Sequence, residues 1–206
     1  MDSPTISIVL PFRDEAAFLP ECLASIRAQT LAGWELVAVD DGSEDESPHL
    51  VAEMAKGDAR VRLLRPGCVG LVAALNLGIA EARAPLVARM DADDVMLPER
   101  LQAQRQMMDA HPDLALCGTR VELFPEDEVR GGYLEYVRWQ NQCVEPEQIA
   151  ANIYVESPFA HPSVVMRTEV LRAAGGYADG PFPEDYELWL RLHAAGHRMG
   201  KVPRVL

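Results

Sequence analysis

Nowhere in this 206-residue chain do apolar residues run together for the roughly 18 positions that a membrane-crossing helix needs. The opening residues, MDSPTISIVLPF, lack the basic stretch and long apolar stretch of a secretory leader. Positive charge is scarce too. Nineteen Lys and Arg against 32 Asp and Glu leave a formal net charge of −13, a surface that repels phosphate backbones, so no nucleic-acid partner is expected. The four cysteines, Cys22, Cys68, Cys117 and Cys143, form no C-x-x-C pair, which removes a zinc knuckle and a disulfide framework. Two phosphate cradles are also missing. No G-x-G-x-x-G follows the first apolar run, where the text is PFRDEAAF, and no G-x-x-x-x-G-K-[ST] occurs, so dinucleotide dehydrogenases and P-loop enzymes drop out. Together these absences describe a soluble, unexported chain of a reducing cytoplasm, either free or peripheral at the inner face of a membrane.

What is present has an ordinary globular balance, 49% apolar and 25% charged, at a length that suits one domain. Short β-branched runs alternate with stretches of helical spacing. Ile6 to Phe12 reads as a strand and Phe18 to Gln29 as a helix with apolar positions at Leu19, Cys22, Leu23 and Ile26. Trp34 to Val39, Val61 to Leu64 and Leu86 to Met90 repeat the strand, each with a helical stretch behind it, the last two being Val69 to Ala82 and Leu97 to Met108. This alternation predicts βαβ units and a mainly parallel sheet covered on both faces. After His111-Pro112 the beat weakens. Ala115 to Phe124 reads as a strand, Pro125 to Arg130 as an acidic loop, and the segment from Gly131-Gly132 through Tyr133, Tyr136 and Trp139 has no clear period. A short strand in HPSVVMR, a helix from about Thr168 closed by Gly175-Gly176, a helix in PEDYELWLRLHAAGH and a last strand in KVPRVL complete the chain.

In such sheets ligands bind beyond the carboxyl ends of the strands. Acids stand there: Asp40-Asp41 after the second strand and Asp91-Ala92-Asp93-Asp94 after the fourth. In an extended chain Asp91 and Asp93 project to the same side, and two carboxylates facing one point repel unless a cation or a proton joins them. Hard oxygen donors of this kind suit Mg²⁺ or Mn²⁺. A structural reading stands beside it, in which Asp93 and Asp94 cap a helix beginning near Pro98 or fill a solvated turn. In VAVDDGSEDES, Ser43 and Glu46 have capping-box spacing, and Glu44 and Asp45 suit the positive end of a helix dipole. Asp40, closing its strand, is free to accept a hydrogen bond from a base or ribose. An EF-hand fits poorly, with Glu46 where the loop glycine belongs.

Five ordered blocks, SIVLPFRDEAAFLPECLASIRAQT, WELVAVDDGSEDES, LVAALNLGIAEARAPLVARMDADD, HPSVVMR and PEDYELWLRL, make the chain similar to the family 2 glycosyltransferases. The resemblance implies the α/β GT-A fold, a Rossmann-like, mainly parallel sheet flanked by helices, of the nucleotide-diphospho-sugar transferase type. It implies one domain over 1–206, with 1–112 as the nucleotide-sugar half and 113–206 as the acceptor-side half. It further implies an inverting transfer of a sugar, from a UDP-sugar by preference, to a hydroxyl of a glycan, lipid-linked sugar or small molecule. By the same resemblance Pro11, Phe12, Arg13, Glu15, Asp91 and Ala92 border the nucleotide-sugar and Asp40 reads the base. Asp93, with Asp91, holds Mn²⁺ or Mg²⁺, Asp185 is the general base, and Glu184 and His161 lie on the acceptor side. Two departures stand out. The Q-x-x-R-W signature of processive members does not follow EDYELWLRL, so single additions are expected, and the chain stops at Leu206, where many relatives continue into a cover over the acceptor. Two other functions stay open on the residues alone: a nucleotide-sugar-binding module without turnover, and a nucleotidyltransferase or metal phosphohydrolase on a similar sheet. The remaining candidates are read as structural. His193 and His197 flank a helix end at Gly196, Trp189 and Leu192 suit a core, Asp185 also suits a first helical turn, and Asn76 with Gly78 shapes a helix near the nucleotide.

Overall fold

The computed structural model describes residues 3–125, 129 and 131–206, so part of the expected acidic loop from Pro125 to Arg130 lies outside the described residues. Strands Ile6–Phe12 (β1), Trp34–Asp40 (β2), Val61–Leu64 (β3), Leu86–Arg89 (β4), Leu114–Arg120 (β5), Val165–Arg167 (β6) and Arg198–Val205 (β7) form one sheet. Their order is β3-β2-β1-β4-β6-β5-β7. β6 runs antiparallel to β4 and β5, and every other pairing is parallel. Helices are Leu19–Arg27 (α1), Ser47–Gly57 (α2), Leu71–Glu81 (α3), Arg100–Ala110 (α4), Gly131–Gln142 (α5), Pro146–Asn152 (α6), Thr168–Ala173 (α7) and Glu184–Ala194 (α8).

Alternation along the strands assigns each side chain to a layer. Ile6, Ile8 and Leu10 of β1 face the core that holds α1 and α4, whereas Val9 faces the core that holds α3, α7 and α8. β1 and β2 are buried at every residue, the pattern of central parallel strands covered on both sides. Trp189 and Leu192 are buried in the second core, as their helical spacing predicts. Glycine sets the distance between α3 and β1: a Cβ at Gly78 would stand 2.5 Å from Val9 Cγ1. Gly78→Ala gains helix propensity of about 1 kcal/mol. It also overpacks a buried valine that has no free rotamer, so a net destabilisation of about 1–3 kcal/mol is expected. An unchanged or higher urea midpoint would contradict that close approach.

Four expectations need correction. The strand from Ala115 ends at Arg120 rather than Phe124, where Arg120 Nε donates to the Asn141 carbonyl and the chain turns away. The segment after Gly131-Gly132 is helix α5, whose buried residues are Val137 and Gln140; so narrow an apolar stripe leaves no period to read. Helix α6 was not visible either, although Glu145 and Gln148 form a true capping box at its start. The box expected at Ser43 and Glu46 does not form: α2 begins at Ser47, and the Ser43 hydroxyl accepts from the Asp14 amide instead.

β7 carries a buried lysine. Lys201 is 1% exposed, donates to the Gln140 carbonyl and lies 5.3 Å from the Phe159 ring centroid. Burial pulls its pKa down to about 8. The unfolded chain therefore binds more protons than the folded one between about pH 8 and 10.5, and this lysine's penalty, full below pH 8, fades as pH rises. Relative to Lys201→Met, the parent is expected to gain up to roughly 3 kcal/mol across that window. A constant difference in unfolding free energy from pH 7 to 10 would show that the ammonium is not desolvated.

Candidate active site

The first two strand ends are laced together by their loops. Asp14 sits at φ 56°, in the left-handed region that aspartate tolerates, and from there it works in both directions. Its amide donates to Ser43 Oγ and its carboxylate accepts from the Glu44 amide, while the amides of Glu15 and Ala16 donate to Ser47 Oγ and Asp45 Oδ2. The run SEDES thus straps the β1 loop in place and presents Arg13 and Glu15 above the sheet. Behind it Asp40 is 2% exposed, its carboxylate accepting from the Ser43 amide at 2.8 Å and from Arg65 Nε at 3.1 Å. Its neighbour Asp41 accepts from the amides of Val69 and Gly70 and so fixes the turn into α3.

At the end of β4 the chain does not stay extended. The strand stops at Arg89, and the Asp94 amide donates weakly to the Asp91 carbonyl at 3.4 Å, closing a turn over the buried Ala92. The turn brings Asp91, Asp93 and Asp94 together, each offering a carboxylate oxygen within 4.8 Å of the others. Same-side projection was therefore the right outcome for the wrong geometry, and it missed Asp94. Capping is excluded: α4 begins at Arg100 behind Glu99 without a side-chain cap. Burial, and then the charges of Asp91 and Asp93, push the Asp94 carboxyl up to about 6. Burial and the same two aspartates also raise Glu15. Arg89, 3% exposed, forms an ion pair with Asp91, and its Nε has no hydrogen-bond partner.

Pro11, Phe12, Arg13, Glu15, Asp91, Ala92 and Asp93 line one cavity of about 200 Å³, with Asp41 and Leu71 beside them. Asp40 is not among its walls. Asp91, Asp93 and Asp94 also line a second cavity of about 470 Å³, together with Asp185 and His161. The Asp185 carboxylate is half-buried in the first turn of α8, whose N-terminus at Pro183 has no side-chain cap. Glu184, one residue earlier, points elsewhere: it faces His161 Nδ1 at 3.5 Å, and that contact lowers its pKa. His161 Nε2 lies 2.8 Å from the Tyr177 hydroxyl, and burial, reinforced by Arg89, lowers the imidazole pKa. Asn76 holds the same Tyr177 by its backbone, accepting from its amide and donating to its carbonyl. Asn76 thus pins the Gly176 turn. His193 lies edge-on to Tyr154, away from these cavities.

The family model described as glycosyl transferase family 2 matches residues 7–174. The chain belongs to glycosyl transferase family 2. Among curated members of that family, the amylovoran biosynthesis glycosyltransferase AmsE of Erwinia amylovora is 36% identical over 98% of this chain and 74% of its own length. An Escherichia coli UDP-Gal:alpha-D-GlcNAc-diphosphoundecaprenol beta-1,3-galactosyltransferase is 27% identical over the whole chain and 74% of its own. Of solved structures, S. aureus TarS 1–349 in complex with UDP-GlcNAc aligns with a TM-score of 0.77 at 18% identity, over 98% of this chain and 57% of that one. The Pyrobaculum calidifontis mannosyltransferase PcManGT, in complex with GDP-Man and Mn²⁺, aligns with a TM-score of 0.75 at 20% identity, over 100% of this chain and 56% of that one. The family 2 chain has their GT-A fold, and it spans little more than half of those structures' length. Among the described residues no helix is long and apolar enough to cross a membrane.

From the sequence Asp41 and Asp94 are strand-end acids without a binding role, and Arg89 and Tyr177 are not singled out. Asp94 adjoins Asp93, to which the resemblance assigns one, and Arg89 had one usable signal: a full charge in a strand otherwise buried on both faces.

Proposed function

We propose that this chain transfers a sugar from a nucleotide-diphosphate sugar, with UDP-sugars preferred, to an acceptor hydroxyl, with inversion at the anomeric carbon and one addition per encounter. One observation carries the reading: three carboxylates gathered at the end of β4 share a cavity with Asp185, whose carboxylate makes no hydrogen bond or ion pair among the described residues. The first half, 1–112, then binds the donor, and 113–206 faces the acceptor.

The donor set fits a hard divalent ion. The three aspartates offer oxygens only, and burial, reinforced by the charges of the other two, already drives Asp94 toward protonation. Asp93, with Asp91, would hold Mn²⁺ or Mg²⁺, and the ion when bound supplies Lewis-acid relief of the charge on the departing diphosphate. Arg89 holds Asp91 and limits that repulsion from below. Pro11, Phe12, Arg13 and Glu15 border the nucleotide in the smaller cavity. In the transfer, the acceptor oxygen bonds to the anomeric carbon while the bond to the diphosphate oxygen breaks and its electron pair leaves with the diphosphate. Asp185 takes the acceptor's proton. Attack from the face opposite the leaving group inverts the configuration. Glu184 and His161, braced by Tyr177, hold the first turn of α8 in place.

Asp40 reads the base. Each carboxylate oxygen has a second lone pair, so the bonds to Ser43 and Arg65 leave room for a base N–H. Asp40→Ala is expected to weaken UDP by about 1–3 kcal/mol while leaving pyrophosphate binding closer to the parent. Calorimetry with equal losses for both ligands would assign Asp40 to loop structure alone. The reading as a whole is tested by incubating the protein with UDP-sugars, Mn²⁺ and candidate acceptors and identifying products. A glycoside of inverted configuration supports it; free sugar phosphate or nucleotide exchange would instead mark a phosphohydrolase or a nucleotidyltransferase.

A further inference from the structure

We propose that the acceptor taken in front of Asp185 is an uncharged pyranose, and that the cavity rejects sugars bearing a carboxylate or phosphate. This rests on the sugar-transfer reading above. Besides the four aspartates already described, the charged side chains lining the cavity are Glu122, from the loop after β5, and Glu156, from the loop after α6. Among the described residues no lysine or arginine lines it. An ion bound at Asp91 and Asp93 answers their charge but not that of these two glutamates, so an anionic acceptor meets carboxylates with no counter-charge among the described residues. Hydroxyl groups meet good acceptors there instead, since O–H donation to an ionised carboxylate is among the stronger hydrogen bonds.

The cavity also has an aromatic wall, Tyr133 and Tyr136 of α5, with ring centroids 5.9 Å apart. Trp139, which does not line the cavity, stacks on Tyr136 with centroids 5.9 Å apart at an interplanar angle of 22°. Tyr136 cannot turn freely: its hydroxyl donates to the Ser157 carbonyl at 2.9 Å and accepts from Gln140 Nε2 at 3.2 Å. A rigid π face bordered by carboxylates matches a molecule with an apolar C–H face and a rim of hydroxyls. A pyranose has that shape. A lipid chain would leave the carboxylates desolvated without partners, and a phosphate would oppose them.

Ligand-observed saturation-transfer NMR on the full chain, with UDP and Mg²⁺ present, tests the proposal. The probes are methyl β-D-glucopyranoside and methyl β-D-galactopyranoside against methyl β-D-glucuronide and methyl β-D-galacturonide. The neutral glycosides are expected to bind at least about tenfold better than the uronates, because like charges in contact near a protein surface repel by more than the roughly 1.4 kcal/mol that tenfold represents. Tyr133→Ala, at an exposed residue, should remove most of the neutral signal. Glu122→Gln with Glu156→Gln should bring the uronates to within about threefold of the neutral sugars, because glutamine keeps the size and loses the repulsion. Equal binding of uronates by the parent, no saccharide signal at all, or an unchanged ratio in the double variant would each overturn the proposal. A UDP-induced thermal shift on the same samples reports separately on the donor reading.

Discussion

Asp185→Asn is expected to lower the rate of sugar transfer by about 10² to 10⁴, the usual contribution of a positioned general base. The fold should survive. Asn has nearly the same volume, the parent carboxylate makes no hydrogen bond among the described residues, and the loss of a charge from the first turn of α8 costs about 0.3–1 kcal/mol at most. Donor affinity should survive as well, because Asp185 does not line the smaller cavity bordered by Pro11, Phe12, Arg13 and Glu15, the proposed nucleotide site. The signature is therefore a fall in kcat with little change in UDP binding by calorimetry. Transfer within a few-fold of the parent would place the base elsewhere. A variant that unfolds would show that the Asp185 charge is needed for the fold of the first turn of α8.

Asp93→Ala should separate the chemistry of the acid turn from its structure. With UDP at about 100 times its Kd, mass action stabilises the parent by about 2.7 kcal/mol. That gain is expected with Mn²⁺ and not with EDTA, and the variant should show it in neither. Without ligand the variant should melt at the same temperature as the parent or slightly higher, because Asp93 is exposed and its charge adds to the repulsion that raises Asp94 and Glu15. Opposite signs in the two conditions distinguish a ligand site from a structural turn. Equal UDP-induced shifts in Mn²⁺ and EDTA would contradict metal-linked donor binding, and a strongly destabilised variant without ligand would return Asp93 to a structural role.

The two cavities differ in how far their linings could be read from sequence. Acids follow immediately after apolar runs, so the rule that ligands lie beyond strand ends pointed to Asp91 and Asp93, which the structure gathers with Asp94 into one cluster. Capping-box spacing misled at SEDES, where the serine hydroxyl accepts from the Asp14 amide of another loop. Around the larger cavity the signals were weaker. Helix α5 buries Val137 and Gln140, one of them polar, so its period was lost although its tyrosines line the larger cavity.

By itself the sequence determined the alternation of strand and helix, a mainly parallel sheet covered on both faces, and the ordered blocks that identify the family. Those features are local: side-chain periodicity of two or 3.6 and the spacing of neighbouring residues need no distant partner. Tertiary structure alone decided that Asp94 joins Asp91 and Asp93, that Arg89 is buried beneath them, and that Asp185 and Glu184, adjacent in the chain, face different partners. It also decided that a residue from α8 meets the end of β4 across one cavity, some ninety positions earlier in the chain. Sheet order and the antiparallel insertion of β6 beside β4 set that meeting, and strand order depends on which surfaces bury one another rather than on any pattern within a segment.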